Sequence, residues 1–298
     1  MIAIFSTPLR ALCITIAALC ILPAHAEEAP GPHHAPAQAD ATRSALVEKV
    51  ITAAGLREQM ASIEKSMRES FAASATRTQK GETVTPEARA RLQRMGSAVA
   101  DAYRRELFVE RIAASLSEGE GNGRLATVLA ELDKPLVKRM SAAEKQPLDP
   151  AAMRDYFTRT RSQPLPPARL ALMERIDAAS GASELATQVT ITTTKLLVYA
   201  TPGMEAERAA RASAEIDARL PATRAQVRAQ LLAQFAYTYR NVNDADLELY
   251  TRENEGESLR WLNNRIAAAL GAQFRESALK MARAFHDIMT PGGAAAVT

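Results

Sequence analysis

From Leu46 to Ile288 the apolar residues of this chain recur at spacings of three and four, and that period decides the class of fold. Leu46, Val47, Val50, Ile51 and Ala54 share one helix face, and Gly55 follows as a natural left-handed terminator. Met60, Ile63, Met67 and Phe71 continue the pattern until the polar stretch from Ala75 to Thr83 interrupts it. Thr85-Pro86-Glu87 reads as a cap followed by proline at the first helical position, opening a helix whose stripe is Leu92, Met95, Val99, Tyr103 and Leu107. Glu118 to Gly123 is a loop by composition; a shorter helix with Leu125, Val128, Leu129 and Leu132 follows, and Pro135 marks a break before another with Leu136 and Met140. The expectation is an all-α helical bundle.

The order of elements is stated twice. LVEKVITAAG, Leu46 to Gly55, returns as LMERIDAASG, Leu172 to Gly181, at a shift of 126 positions. Glu48 then aligns with Glu174, Lys49 with Arg175, Val50 with Ile176 and Ala53 with Ala179. Each half is expected to run as a short helix ending in Gly, a second helix, a long helix with a Tyr in its last turns, and a pair of helices around a turn. The two repeats are placed at 44–145 and 168–290, joined by a Pro-containing linker over 146–167. VTITTTKLLVY, Val189 to Tyr199, has the β-branched content of a strand. Its place in the repeat makes it a helix, because one strand without a partner cannot satisfy its backbone. Pro221 opens the next helix, and Leu259, Leu262, Ile266, Leu270, Phe274, Met281, Phe285 and Ile288 line a long final one.

The N-terminus sets the expected compartment. Arg10 precedes an apolar run to Leu22 and then Ala24-His25-Ala26, the pattern of a secretory signal peptide over 1–26 with cleavage after Ala26. The run is shorter than the roughly 20 residues that span a bilayer, and no later stretch reaches that length. Export to the periplasm or beyond follows, with no transmembrane segment in the mature chain. Cys13 and Cys20 leave with the signal, so the mature protein has neither thiol nor disulfide. A Pro- and Ala-rich stretch over 27–43 reads as a flexible lead-in, and 291–298 as a flexible tail. With 37 basic and 34 acidic residues, interspersed, the chain offers solvated helix faces and no nucleic-acid surface.

Two segments carry a family resemblance. RLATVLAELDKPLVKRMSAAE, Arg124 to Glu144, and YTYRNVNDADLELYTRENEGESLRW, Tyr237 to Trp261, resemble the bacterial domain-of-unknown-function family 2059. Its motif is a short helix, an aromatic, and a Ser-Pro-x-Gly turn opening another helix. The first copy keeps the proline, Pro135; the second keeps the glycine, Gly256, with Tyr250 at the aromatic place. The resemblance covers about Ser44 to Phe285 and implies exported helical proteins, with no catalytic residue to carry over.

Candidate chemistry is sparse. Beyond the signal the histidines are His33, His34 and His286, the last beside Asp287 and suited to a helix C-terminus. His33 and His34 with Glu27 and Glu28 form a weak metal-binding set on a flexible stretch. Glu118, Glu120 and Asn122 lack the spacing of a calcium loop. Glu253, Glu255 and Glu257 raise paired-carboxylate chemistry, but acids at a helix start already satisfy the helix dipole. Tyr250 and Trp261 are candidates for a ligand groove, with core packing as the simpler role. The expected function is a non-enzymatic binding or interaction module of the cell envelope, without cofactor or metal, its partners being envelope proteins or a small apolar ligand. The alternative is a hydrolase or lyase using those carboxylates on envelope polymers.

Overall fold

The computed structural model describes residues 36–78, 85–118, 121–146, 149–199, 201 and 204–290, and among these no strand occurs. The expected signal over 1–26, the tail over 291–298 and His33 and His34 lie outside the described residues. The helices of the first half are α1 (Pro36–Ala53), α2 (Leu56–Thr78), α3 (Pro86–Ala102), α4 (Arg105–Ser117), α5 (Asn122–Leu132) and α6 (Pro135–Glu144). Next come α7 (Pro150–Ser162), α8 (Pro167–Ser180), α9 (Ala182–Tyr199), α10 (Ala206–Ala218), α11 (Leu220–Thr238), α12 (Asp244–Glu255) and α13 (Glu257–Met289). None of them is long and apolar enough to cross a membrane.

In the first half α1 packs on α2, α4 and α5; α2 on α3 and α4; and α5 on α6. In the second, α8 packs on α9, α11 and α12; α9 on α10 and α11; and α12 on α13. Gly55 and Gly181 both end their helices in the left-handed region, at φ 65° and 67°. Leu125 of α5 and Leu247 of α12, each in the first turn of its helix, are both fully buried.

The axis of the packing is α13. Its buried residues, including Leu259, Leu262, Ile266, Leu270, Phe274 and Phe285, recur at three and four positions, with Ala269, Ser277, Ala278 and Ala282 among them. Small side chains let neighbouring helices approach closely, and α13 accordingly touches α3, α4 and α5 as well as α8, α9 and α12. One continuous apolar core therefore runs from Val47 to Phe285. Tyr103, Phe108 and Phe274 form an aromatic knot between the halves, with centroids 4.9–6.3 Å apart. Polar stitches follow the same seam: Ser115 Oγ donates to the Arg265 carbonyl at 3.2 Å, and Arg265 to that of Glu118 at 3.0 Å.

Val189 to Tyr199 is helical, as its place in the order predicts. Thr187, Thr190 and Thr194 each turn their hydroxyl back to the carbonyl four residues earlier at 2.7 Å, which satisfies the polar atom within the helix.

Four expectations need correction. The stripe from Leu92 to Leu107 belongs to two helices, because the chain breaks at Tyr103 and Arg104. The Tyr103 ring is fully buried in the knot, and the freed start of α4 is met by α2, whose Glu64 accepts from the Arg105 backbone N–H at 3.3 Å. Tyr103 consequently follows α3, whereas Tyr239 follows α11, whose neighbours match those of α4; the two tyrosines do not hold equivalent places. The linker over 146–167 contains α7, capped by Asp149, which accepts from Ala151 and Ala152 N–H at 2.8 and 3.3 Å, with Pro150 at the first position. The lead-in is helical from Pro36, where a proline start meets Ala-rich sequence of high helix propensity.

The left-handed glycines give a direct test. Nothing lies within 4 Å of a Cβ built on Gly181, so Gly181→Ala isolates backbone strain and should cost about 1–2 kcal/mol in urea unfolding. At Gly55 the same Cβ meets the flexible end of Lys145, so Gly55→Ala should cost at least as much. A neutral Gly181→Ala would contradict the assigned turn.

Candidate functional site

The turn before Pro135 and the turn at Gly256 lie against each other. Lys134 caps α6 with an extended backbone, and Pro135 supplies the first helical residue. From that turn Lys134 reaches across to Glu253 of α12 at 2.7 Å while also pairing with Glu131, which is 2% exposed. Arg124 of α5 meets Glu257, the first residue of α13, at 2.7 Å. Gly256 links α12 to α13 at φ −69°, an ordinary extended backbone, so no left-handed requirement explains a glycine there.

Tyr250 sits at the centre of this joint. Asn243 caps α12 through the Asp246 N–H at 2.8 Å, and the helix then buries Leu247, Tyr250, Thr251 and Asn254. The Tyr250 ring meets that of Tyr239 edge-on, with centroids 6.1 Å apart. Both hydroxyls donate to the same oxygen, Oε1 of Glu144 at the end of α6, each at 2.7 Å. Glu144 as a residue is half-buried, but its carboxyl faces inward between the two phenols. Burial pushes that carboxyl up to about 7, against the opposing pull of the two phenols and Lys145. Burial likewise pushes both phenols well above their ordinary range, so they remain donors. Arg169 of α8 fastens the turn after α11, donating to the carbonyls of Tyr239 at 2.6 Å and Val242 at 2.9 Å.

The acidic trio is placed differently from expectation. Only Glu257 opens a helix; Glu253 and Glu255 occupy the last turn of α12, where the dipole disfavours an anion. Cations from elsewhere in the chain offset this. Arg175 of α8 forks onto Glu255 with two 2.7 Å bonds, which holds that carboxylate below its usual range, and reaches Glu248 at 2.9 Å, whose carboxylate is lowered first by Arg252 of its own helix and then by Arg175. With Glu253 on Lys134 and Glu257 on Arg124, each member of the trio is tied to a separate partner.

The remaining candidates are dispersed. Trp261 is half-buried against the core, His286 lies exposed in the last turn of α13, and Glu118 lies near Arg265 at 3.7 Å. Among the described residues no group of three or more His, Cys, Asp or Glu is arranged to hold a metal ion. Two open grooves lie elsewhere. One of about 790 Å³ runs between α3 and α13, lined by Arg91, Arg94, Ser97, Asp101, Lys280 and Ala284 among others. The second, of about 640 Å³, lies along α1 and α5 and includes Lys49, Leu129 and Asp133.

Glu144, Tyr239, Arg169 and Arg175 carry the joint, and no local pattern announces them. Glu144 reads from sequence as an ordinary acid at a helix end, and its partners are 95 and 106 residues away.

No known family, curated protein or solved structure matches this chain.

Removing either phenol donor should destabilise the protein. Tyr239→Phe and Tyr250→Phe are each expected to cost about 1–2 kcal/mol in urea unfolding followed by Trp261 fluorescence. The double variant should cost more than the sum, because it strips the buried carboxyl of its last phenol donor. Small, additive losses would contradict the shared-oxygen geometry.

Proposed function

We propose that this protein is an exported, non-enzymatic interaction module of the bacterial cell envelope, related to the domain-of-unknown-function family 2059 and built from two related helical units. The observation that carries the non-enzymatic reading is the state of the acids. Glu253, Glu255 and Glu257, the carboxylates best placed in sequence for acid–base work, are each engaged by a different cation: Lys134 in the turn before α6, Arg175 of α8 and Arg124 of α5. An acid and base pair needs two carboxyls converging on one space, and these diverge to separate partners. The matching order of helix neighbours in the two halves, with left-handed Gly55 and Gly181 at corresponding corners, supports the duplication. The signal-like N-terminus supports export.

The expected mode of action is surface recognition. The grooves along α3–α13 and α1–α5 are open and rimmed by charge, which suits a protein surface better than an enclosed small molecule.

Native mass measurement on the protein taken from the periplasm of its own host reads all parts of the proposal together. The expected mass is that of a chain beginning at Glu27, with no stoichiometric small-molecule adduct. A photo-cross-linking side chain at exposed Ser97, in the α3–α13 groove, should capture an envelope protein in intact cells, while one at exposed Ala210 on α10 should not. A tightly held small molecule, or retention of Met1, would overturn the reading.

A further inference from the structure

The joint is closed by one short helix, α6. Helix α6 is ten residues long and makes its main contacts with α5 and α12. Its start is pinned by Lys134 on Glu131 and Glu253, and its middle by Arg139 on Asp246 at 2.7 Å. Only Val137 and Met140 are buried from its own face. Its far end is held by Glu144 on Tyr239 and Tyr250, which belong to the other half.

We propose that α6 is a proton-operated latch, closed over α12 while the Glu144 carboxyl is protonated and loosened when that carboxyl ionises. The groups facing Glu144 are few. From α12 comes Tyr250, and from the turn after α11 comes Tyr239, whose carbonyl is occupied by Arg169. On its own element the neighbour is Lys145, which lies over Gly55 near Glu58. Asp246 and Glu253, the acids of α12 that touch α6, are already paired with Arg139 and Lys134. Burial of the Glu144 carboxyl outweighs the two phenol donors and Lys145, the cation acting on it among the described residues, so the carboxyl's charged form is disfavoured where it sits.

The direction follows from linkage. A carboxyl raised to about 7 when the latch is closed, and returned to an ordinary value when it opens, binds more protons closed than open. The closed form is therefore most favoured below the ordinary carboxylate range, loses ground as pH rises, and stops losing it once the carboxyl is ionised in both forms. An exported protein meets the pH of its surroundings, so such a latch would report it. Opening would expose Tyr239, Tyr250, Val137 and Met140, an apolar surface otherwise buried.

Hydrogen exchange on the full mature chain at pH 5, 6, 7 and 8, corrected for intrinsic rates, tests this. Protection of α6 amides should fall about five- to sevenfold per pH unit from 5 to 7 and level off near 8, and stay below that in the middle of α13 at every pH, because α6 opens without the rest. Glu144→Gln, which keeps an oxygen for the phenols, should give a flat profile for α6. Tyr250→Phe removes a donor that favours the charged form, so its fall should continue to higher pH than in the natural protein. A flat natural profile, or the same slope in Glu144→Gln, overturns the proposal. If Glu144→Gln fails to fold, an unshifted profile in Tyr250→Phe overturns it, and an upward shift upholds it.

Discussion

Everything in this structure depends on α13 having somewhere to put its buried face. At 33 residues it extends about 50 Å, and its apolar stripe runs from Leu259 to Phe285 without interruption. A helix of that length cannot cover itself, and the helices of either half alone leave part of the stripe bare. The solution is to share it. Helices α3, α4 and α5 of the first half and α8, α9 and α12 of the second all pack on it, so both halves are completed by one element. Each buried large apolar side chain contributes about 1.5–3 kcal/mol, so this seam does more than any polar contact to hold the halves together.

The polar joint between the two turns has a different role. Charge pairs such as Lys134–Glu253 and Arg124–Glu257 are partly exposed and individually worth little, about 0–1 kcal/mol. Their geometry fixes which turn meets which, and it places Glu144 where two phenols can reach it. A carboxyl in that position is costly to charge, which makes the end of α6 more responsive to protons than the apolar seam beside it.

How much of this can be read from the chain depends on the range of the interaction. Elements governed by neighbours three or four residues away are legible: the α13 stripe, the Gly55 and Gly181 corners, the Thr85 and Pro135 starts. The break at Tyr103 is not, because Tyr103 and Arg104 carry no breaker signal and the turn is stabilised by Phe274 and Glu64, distant in sequence. Helix α7 is hidden by prolines that punctuate its flanks, although Asp149-Pro150 is itself a helix start. Tyr250 stands out in the sequence as an aromatic beside a turn, while its link to Glu144 and Tyr239 emerges only once the helices are brought together.

The central claim is that α13 makes the two halves one cooperative unit, and scanning calorimetry of the purified protein tests it most directly. The account predicts a single transition whose calorimetric and van't Hoff enthalpies agree. Two resolved transitions, or a calorimetric enthalpy well above the van't Hoff value, would mean that the halves melt separately and that α13 does not bind them.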